Sequence, residues 1–147
     1  MPQFKSTKKQ QNVLVVCQGN ICRSPLAAAL LSRKESLNVR GRGFGPSDKK
    51  SPKKIRVYAE SIGINLDKHR SQQITQNDVD WADVVIYMDN ANYKKLIQFK
   101  GGKEKAWCLA KELGQDKIAD PNFVRKGKPT DDILDSIVKA CDLFVQK

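Results

Sequence analysis

Cys17 and Arg23 stand six residues apart in the run CQGNICRSP, with a glycine and an asparagine between them. A thiol and a guanidinium at that spacing suit one kind of chemistry, the attack of sulfur on a tetrahedral oxyanion that the guanidinium holds. The planar fork of arginine matches two oxygens of a phosphoryl group. Backbone N–H groups of a tight loop take up the charge that develops on the remaining oxygens. A thiol gathered among such groups is favoured as the thiolate, which is the attacking form. Gly19 keeps a Cβ away from the anion, while Asn20 tolerates left-handed backbone and can brace the loop with its amide. The expected phosphate-binding loop is therefore Gln18, Gly19, Asn20, Ile21 and Cys22, closed by Ser24, whose hydroxyl is a donor to the sulfur. Cys22 can also pair with Cys17 under oxidation and so protect it. A buried neutral thiol explains its residue type equally well.

Spacing alone is weak, and the flanking elements give it weight. Four apolar residues, VLVV, precede Cys17 and suit a strand buried on both faces of a parallel sheet. The Ala/Leu run after Pro25 suits a packed helix. Ser24 is the expected N-cap and Pro25 the first helical residue, which adds the positive end of a helix dipole to the loop amides. Further strands are expected over 37–42, 84–88 and 105–109, and helices over 52–62, 76–82, 91–99 and 130–145. Thr75, Asp89 and Thr130 are the expected caps of the last three helices, and Gly63 the stop of the one before them. Ile133, Ile137, Cys141 and Phe144 line one face of the final helix, so Cys141 reads as a core residue.

CQGNICRSP resembles the signature of the low-molecular-weight protein tyrosine phosphatases, and Asp120-Pro121 is similar to that family's general-acid Asp-Pro pair. The likeness runs from Asn12 onward. It implies a single-domain, three-layer α/β/α fold with a four-stranded parallel sheet in the flavodoxin-like order 2-1-3-4 and helices on both faces, with residues 1–11 a polar tail and 12–147 the domain. It also implies the roles. Cys17 is the nucleophile, Arg23 the phosphate clamp and Asp120 the general acid, with His69 and Asp89 supporting the loops around them. Outside the resemblance, Asp-Pro is a common turn starter and Asp89 a plain helix cap. The chain departs from the family pattern in three places. Gly41 stands where a loop-bracing serine is usual. The pocket wall is reduced to Phe44, Asn122 and Phe123, and Phe44 reads equally well as a core plug. Gln18 occupies a usually apolar position.

The activity implied is hydrolysis of phosphotyrosine through a cysteinyl-phosphate intermediate, with no cofactor and no metal. Inorganic phosphate and other oxyanions are expected as inhibitors, and a phosphotyrosine protein, such as a bacterial tyrosine kinase, as substrate. Two alternatives stay open. The altered brace and wall fit a catalytically weak phosphate-binding module. An arsenate reductase of the same fold would need two further thiols close together, whereas Cys108 and Cys141 fall in a strand and a helix.

Composition narrows the field further. The 147 residues fit one domain, and 27 Lys and Arg against 16 Asp and Glu give a formal charge of +11. These basic residues are scattered without an aromatic-interleaved stripe, which argues against nucleic acid as partner. No run approaches the roughly 20 apolar residues of a membrane span, and the first twelve residues lack the apolar middle of a signal peptide, so a cytoplasmic location is expected. Four cysteines at these spacings make neither a disulfide scaffold nor a zinc site.

Overall fold

The computed structural model describes residues 10–121 and 130–147. Strand β1, Gln11–Cys17, begins one residue inside the segment read as a tail and leads directly into the loop before helix α1, Arg23–Leu31. Then follow β2 (Leu37–Gly43), α2 (Lys53–Ser61), α3 (Gln76–Trp81), β3 (Val84–Tyr87), α4 (Asn90–Leu96), α5 (Gly102–Lys105), β4 (Ala106–Cys108), a 3₁₀ turn over Leu109–Leu113, and α6 (Thr130–Val145). The sheet is parallel throughout, in the order β2-β1-β3-β4. Val13, Leu14, Val15 and Val16 are wholly buried, as a strand covered on both faces must be.

Alternate residues of β1 serve two cores. Val13 and Val15 face a larger cluster with Leu26 and Leu31 of α1, Ile55 and Ala59 of α2, and Leu134, Ile137 and Phe144 of α6. Leu14 and Val16 face a smaller one with Val79 of α3 and Leu96 of α4. Helices therefore lie on both faces of the sheet. The chain leaves β1 for β2 on one side and returns to β3 on the other, so the carboxyl end of β1 lies at the switch point where such sheets bind ligands.

The expected elements and the observed ones differ in informative places. Gly63, at φ +83°, ends the region of α2 as expected. Thr75 and Asp89 are N-caps with reciprocal capping boxes to Asp78 and Asn92. Helix α6 takes in Thr130 as its first residue. Burial pushes the Cys141 thiol up, and Asp142 adds to the shift, so this cysteine is a neutral core residue. Ser24 is not the N-cap of α1. Cys22 holds that position, Arg23 opens the helix and Pro25 is its third residue. The serine side chain is instead engaged with the sulfur of Cys17. Helix α5 has no counterpart among the expected elements. Gly101 supplies the left-handed turn into it at φ +83°.

One tie on the opposite edge bears on stability. Asp78, only 4% exposed, accepts from Arg40 and Arg42 of β2 at 3.3 and 3.2 Å while closing its capping box with Thr75. Arg40 also lies over the Trp81 ring, 4.1 Å from its centroid. Asp78→Ala removes the box and leaves two arginines unpaired at one point. The expected loss is about 2–4 kcal/mol, read as a lower urea midpoint at unchanged slope. A midpoint within error of wild type contradicts this.

Candidate active site

The site grows from the end of β1. Cys17 is 2% exposed, and its Sγ lies 3.1 Å from Ser24 Oγ. The backbone N–H groups of Asn20 and Ser24 donate to the same sulfur at 3.3 and 3.4 Å. Asn20 Nδ2 donates to Ser24 Oγ at 2.7 Å, which leaves the serine's own proton for the sulfur. The loop thus wraps its donors around Sγ, an arrangement that stabilises negative charge there.

Asn20 is the brace expected of it. Its φ of +53° is left-handed, its Oδ1 accepts from the Gln72 N–H at 3.0 Å, and its carbonyl oxygen lies 2.7 Å from His69 Nε2. The link over 69–72 therefore holds the loop from outside, where Gly41 offers no side chain. A Cβ on Gly41 would come within 3.2 Å of Asn20 Nδ2. Glycine at 41 goes with this close approach of the asparagine. Gly43 is more tightly constrained, since a Cβ there would lie 2.8 Å from both Asn20 N and Asn20 Cβ. At Gly19 a Cβ would meet Ile21 Cγ1 at 3.3 Å, so crowding within the loop also matters there. Ile21 packs against the main core, and Cys22 is buried within it. No disulfide links any of the four cysteines.

Arg23 is 1% exposed, a buried cation that requires compensation. Its Nη1 donates to Asp89 Oδ2 at 2.7 Å and to the Ile118 carbonyl at 2.8 Å. Asp89 Oδ1 meanwhile accepts from the Asn92 N–H at 2.8 Å, so one carboxylate caps α4 and anchors the guanidinium. The cap is as expected, and the second oxygen reaches Arg23. Arg23 Nη2 lies 3.6 Å from Asp120 Oδ2, and Arg23 Nε, buried, has no hydrogen-bond partner among the described residues. Ile118 N–H donates to the Met88 carbonyl at 2.8 Å, which fixes the segment carrying Asp120 beside the end of β3. Tyr87, the last residue of β3, is pushed up to about 12 by burial first and by Cys108 second, so its hydroxyl is protonated at neutral pH.

Phe44 is half-buried at the rim. Its N–H and that of Gly45 donate to the Gln18 carbonyl at 3.0 and 2.8 Å. The ring packs on the smaller core and stays partly open, so it is less than a plug. Asn122 and Phe123, the rest of the expected wall, lie outside the described residues. Reading the chain missed three contributors: the Ile118 carbonyl, the Gln72 N–H and Lys95, whose Nζ donates to Gln18 Oε1 at 2.5 Å. Two of them act through the backbone, which residue type does not disclose. Lys95 lies 77 positions from its partner.

A doubly wound parallel sheet whose first strand ends in a cysteine–arginine anion loop at the switch point defines a protein built to hold a phosphoryl-like group. The model of the family described as low molecular weight phosphotyrosine protein phosphatase matches residues 12–147, and the chain belongs to that family. A relative, the probable low molecular weight protein-tyrosine-phosphatase EpsP of Ralstonia nicotianae, is 33% identical over 143 residues, covering 93% of this chain and 95% of the relative. The solved YwlE arginine phosphatase from Geobacillus stearothermophilus superposes with a TM-score of 0.80 at 30% identity, covering 92% of this chain and 91% of that one. The tyrosine phosphatase Wzb from Escherichia coli K30, in complex with sulphate, reaches a TM-score of 0.84 over 93% of this chain and 97% of that one, and at 24% identity it shares the fold.

Proposed function

We propose that this chain hydrolyses phosphotyrosine in proteins by a two-step displacement. Cys17 attacks phosphorus while Arg23 and the amides of the loop from Gln18 to Cys22 hold the phosphoryl oxygens. Asp120 protonates the departing phenolic oxygen. Water, activated by the now ionised Asp120, then frees phosphate from sulfur. Ser24 stabilises the thiolate as it leaves, while His69 and Asp89 keep the loop and the arginine in place.

The observation that carries this reading is the arginine. Asp89 and Ile118 hold one end of the guanidinium, and the buried Nε has no hydrogen-bond partner among the described residues. A two-oxygen ligand would satisfy the free edge. Turnover of p-nitrophenyl phosphate and of a phosphotyrosine peptide by the purified protein, blocked by orthovanadate, is the test. Phosphate binding without turnover would favour the weak binding module instead. Arsenate reduction has little support, because Cys108 and Cys141 are buried in β4 and α6.

The likeness to an arginine phosphatase favours a second reading, release of phosphate from phosphoarginine at the same site. Comparing kcat/KM on phosphotyrosine and phosphoarginine substrates separates the two. A bacterial tyrosine kinase is among the substrates the first reading covers, and a cytoplasmic location suits a thiolate enzyme. No helix among the described residues is long and apolar enough to cross a membrane.

Loop geometry gives a sharper test. Gly43→Ala forces a Cβ against Asn20, and because backbone is involved the loop must shift. A displacement near 1 Å costs about 100-fold in rate, so kcat/KM on p-nitrophenyl phosphate should fall by at least that factor while far-ultraviolet dichroism is unchanged. Wild-type activity in this variant contradicts the loop's role.

A further inference from the structure

The mouth of the site carries a charge that the hydrolysis itself does not use. Lys95, on the last turn of α4, extends its ammonium to Gln18, the residue directly after the nucleophile, with Nζ 2.5 Å from Gln18 Oε1. The same nitrogen lies 6.0 Å from the centroid of the Phe44 ring. Among the described residues no carboxylate comes within ion-pair distance of Lys95, as is also true of exposed neighbours such as Lys94 and Lys100. Lys95 is exposed, Gln18 and Phe44 are half-buried, and the Phe44 and Gly45 N–H groups are tied to the Gln18 carbonyl. Ring, amide and ammonium thus lie together beside the loop that follows Cys17.

We propose that Lys95 is a specificity-determining residue that reads a carboxylate beside the phosphorylated side chain, so that the preferred substrate is an acidic phosphotyrosine segment. This rests on the phosphatase reading above. The physical case is one of geometry and compensation. The phosphoryl oxygens are held by Arg23 and the loop amides, so their direct contacts do not include Lys95. Gln18 offers that ammonium only a neutral oxygen, which an incoming carboxylate can replace or supplement with full charge. With the phosphorylated ring entering past Phe44, the residues next to it in the peptide pass the Lys95 side. A basic neighbour would meet like charge at the same point, which sets specificity by exclusion as well as by attraction.

The test uses two phosphotyrosine peptides that differ only in Glu or Gln at the positions flanking the phosphotyrosine, with p-nitrophenyl phosphate as reference. Wild type should favour the Glu peptide in kcat/KM by about fivefold, the size of one exposed ion pair, and the preference should shrink as salt is raised. Lys95→Ala should bring the ratio to one, and Lys95→Glu should invert it. If Lys95 only propped the loop through Gln18, its loss would slow both peptides equally and leave the ratio unchanged, and that result overturns the proposal. A wild type that hydrolyses p-nitrophenyl phosphate yet shows no Glu preference also overturns it, with the phosphatase reading intact. A wild type inert toward all three substrates overturns both.

Discussion

Replacing Cys17 by serine should lower turnover of p-nitrophenyl phosphate by at least about 10⁴-fold, since removal of a nucleophile costs as much as loss of the whole catalytic unit. The reason lies in what surrounds the sulfur. Two N–H groups and the Ser24 hydroxyl converge on Sγ, and they suit a large, polarisable, ionised atom. A serine hydroxyl there is protonated, and the described residues place no base next to it to remove the proton. The anion site itself should survive, because Arg23 and the loop amides are untouched. Cys17→Ser is therefore expected to keep its affinity for inorganic phosphate or vanadate in a calorimetric titration while losing turnover. Retained turnover removes Cys17 from the mechanism, and lost binding together with lost turnover points to a collapsed loop.

Asp120→Ala should slow hydrolysis of phenyl phosphate by about 10²–10³-fold, within the range expected of a single general acid. The loss should be smaller on p-nitrophenyl phosphate, whose leaving group departs without help from a proton. Asp120 is 18% exposed in its side chain and 3.6 Å from Arg23 Nη2, so it stands at the opening with its carboxylate partly in solvent. That is where a group must be to meet a leaving oxygen on the far side of phosphorus from a buried sulfur. Equal losses on both esters would mean that Asp120 acts only by holding Arg23. The Asp89 carboxylate already performs that task at 2.7 Å.

Much of this was legible in the chain because local chemistry decides it. Three valines and a leucine in a row before Cys17 make sense only as a strand covered on both sides. Thr75 and Asp89 cap their helices because their side chains reach N–H groups three residues on. The apolar spacing of Ile133, Ile137, Cys141 and Phe144 marked the last helix. Asn20 was readable as a left-handed brace, since few residue types tolerate that backbone.

The failures are of another kind. Ser24 has the residue type of a cap, yet Cys22 takes that position and the serine hydroxyl serves the sulfur seven residues back. The tie at Asp78 leaves no local signal, because β2 brings its two arginines from 36 and 38 positions away. Gly41 read as a missing brace. The structure shows its place taken by close approach of the Asn20 amide, with the outer hold coming from His69 and Gln72. Contacts across such separations depend on register and topology, which residue type alone does not encode.

Hydrolysis through Cys17 requires that its sulfur become phosphorylated. Asp120→Ala should accumulate that species, since the base for its hydrolysis is gone. Rapid acid quenching of this variant during turnover of p-nitrophenyl phosphate, followed by peptide mass spectrometry, should find phosphate on Cys17. Turnover with no phosphorylated protein, or with phosphate on another residue, contradicts the mechanism.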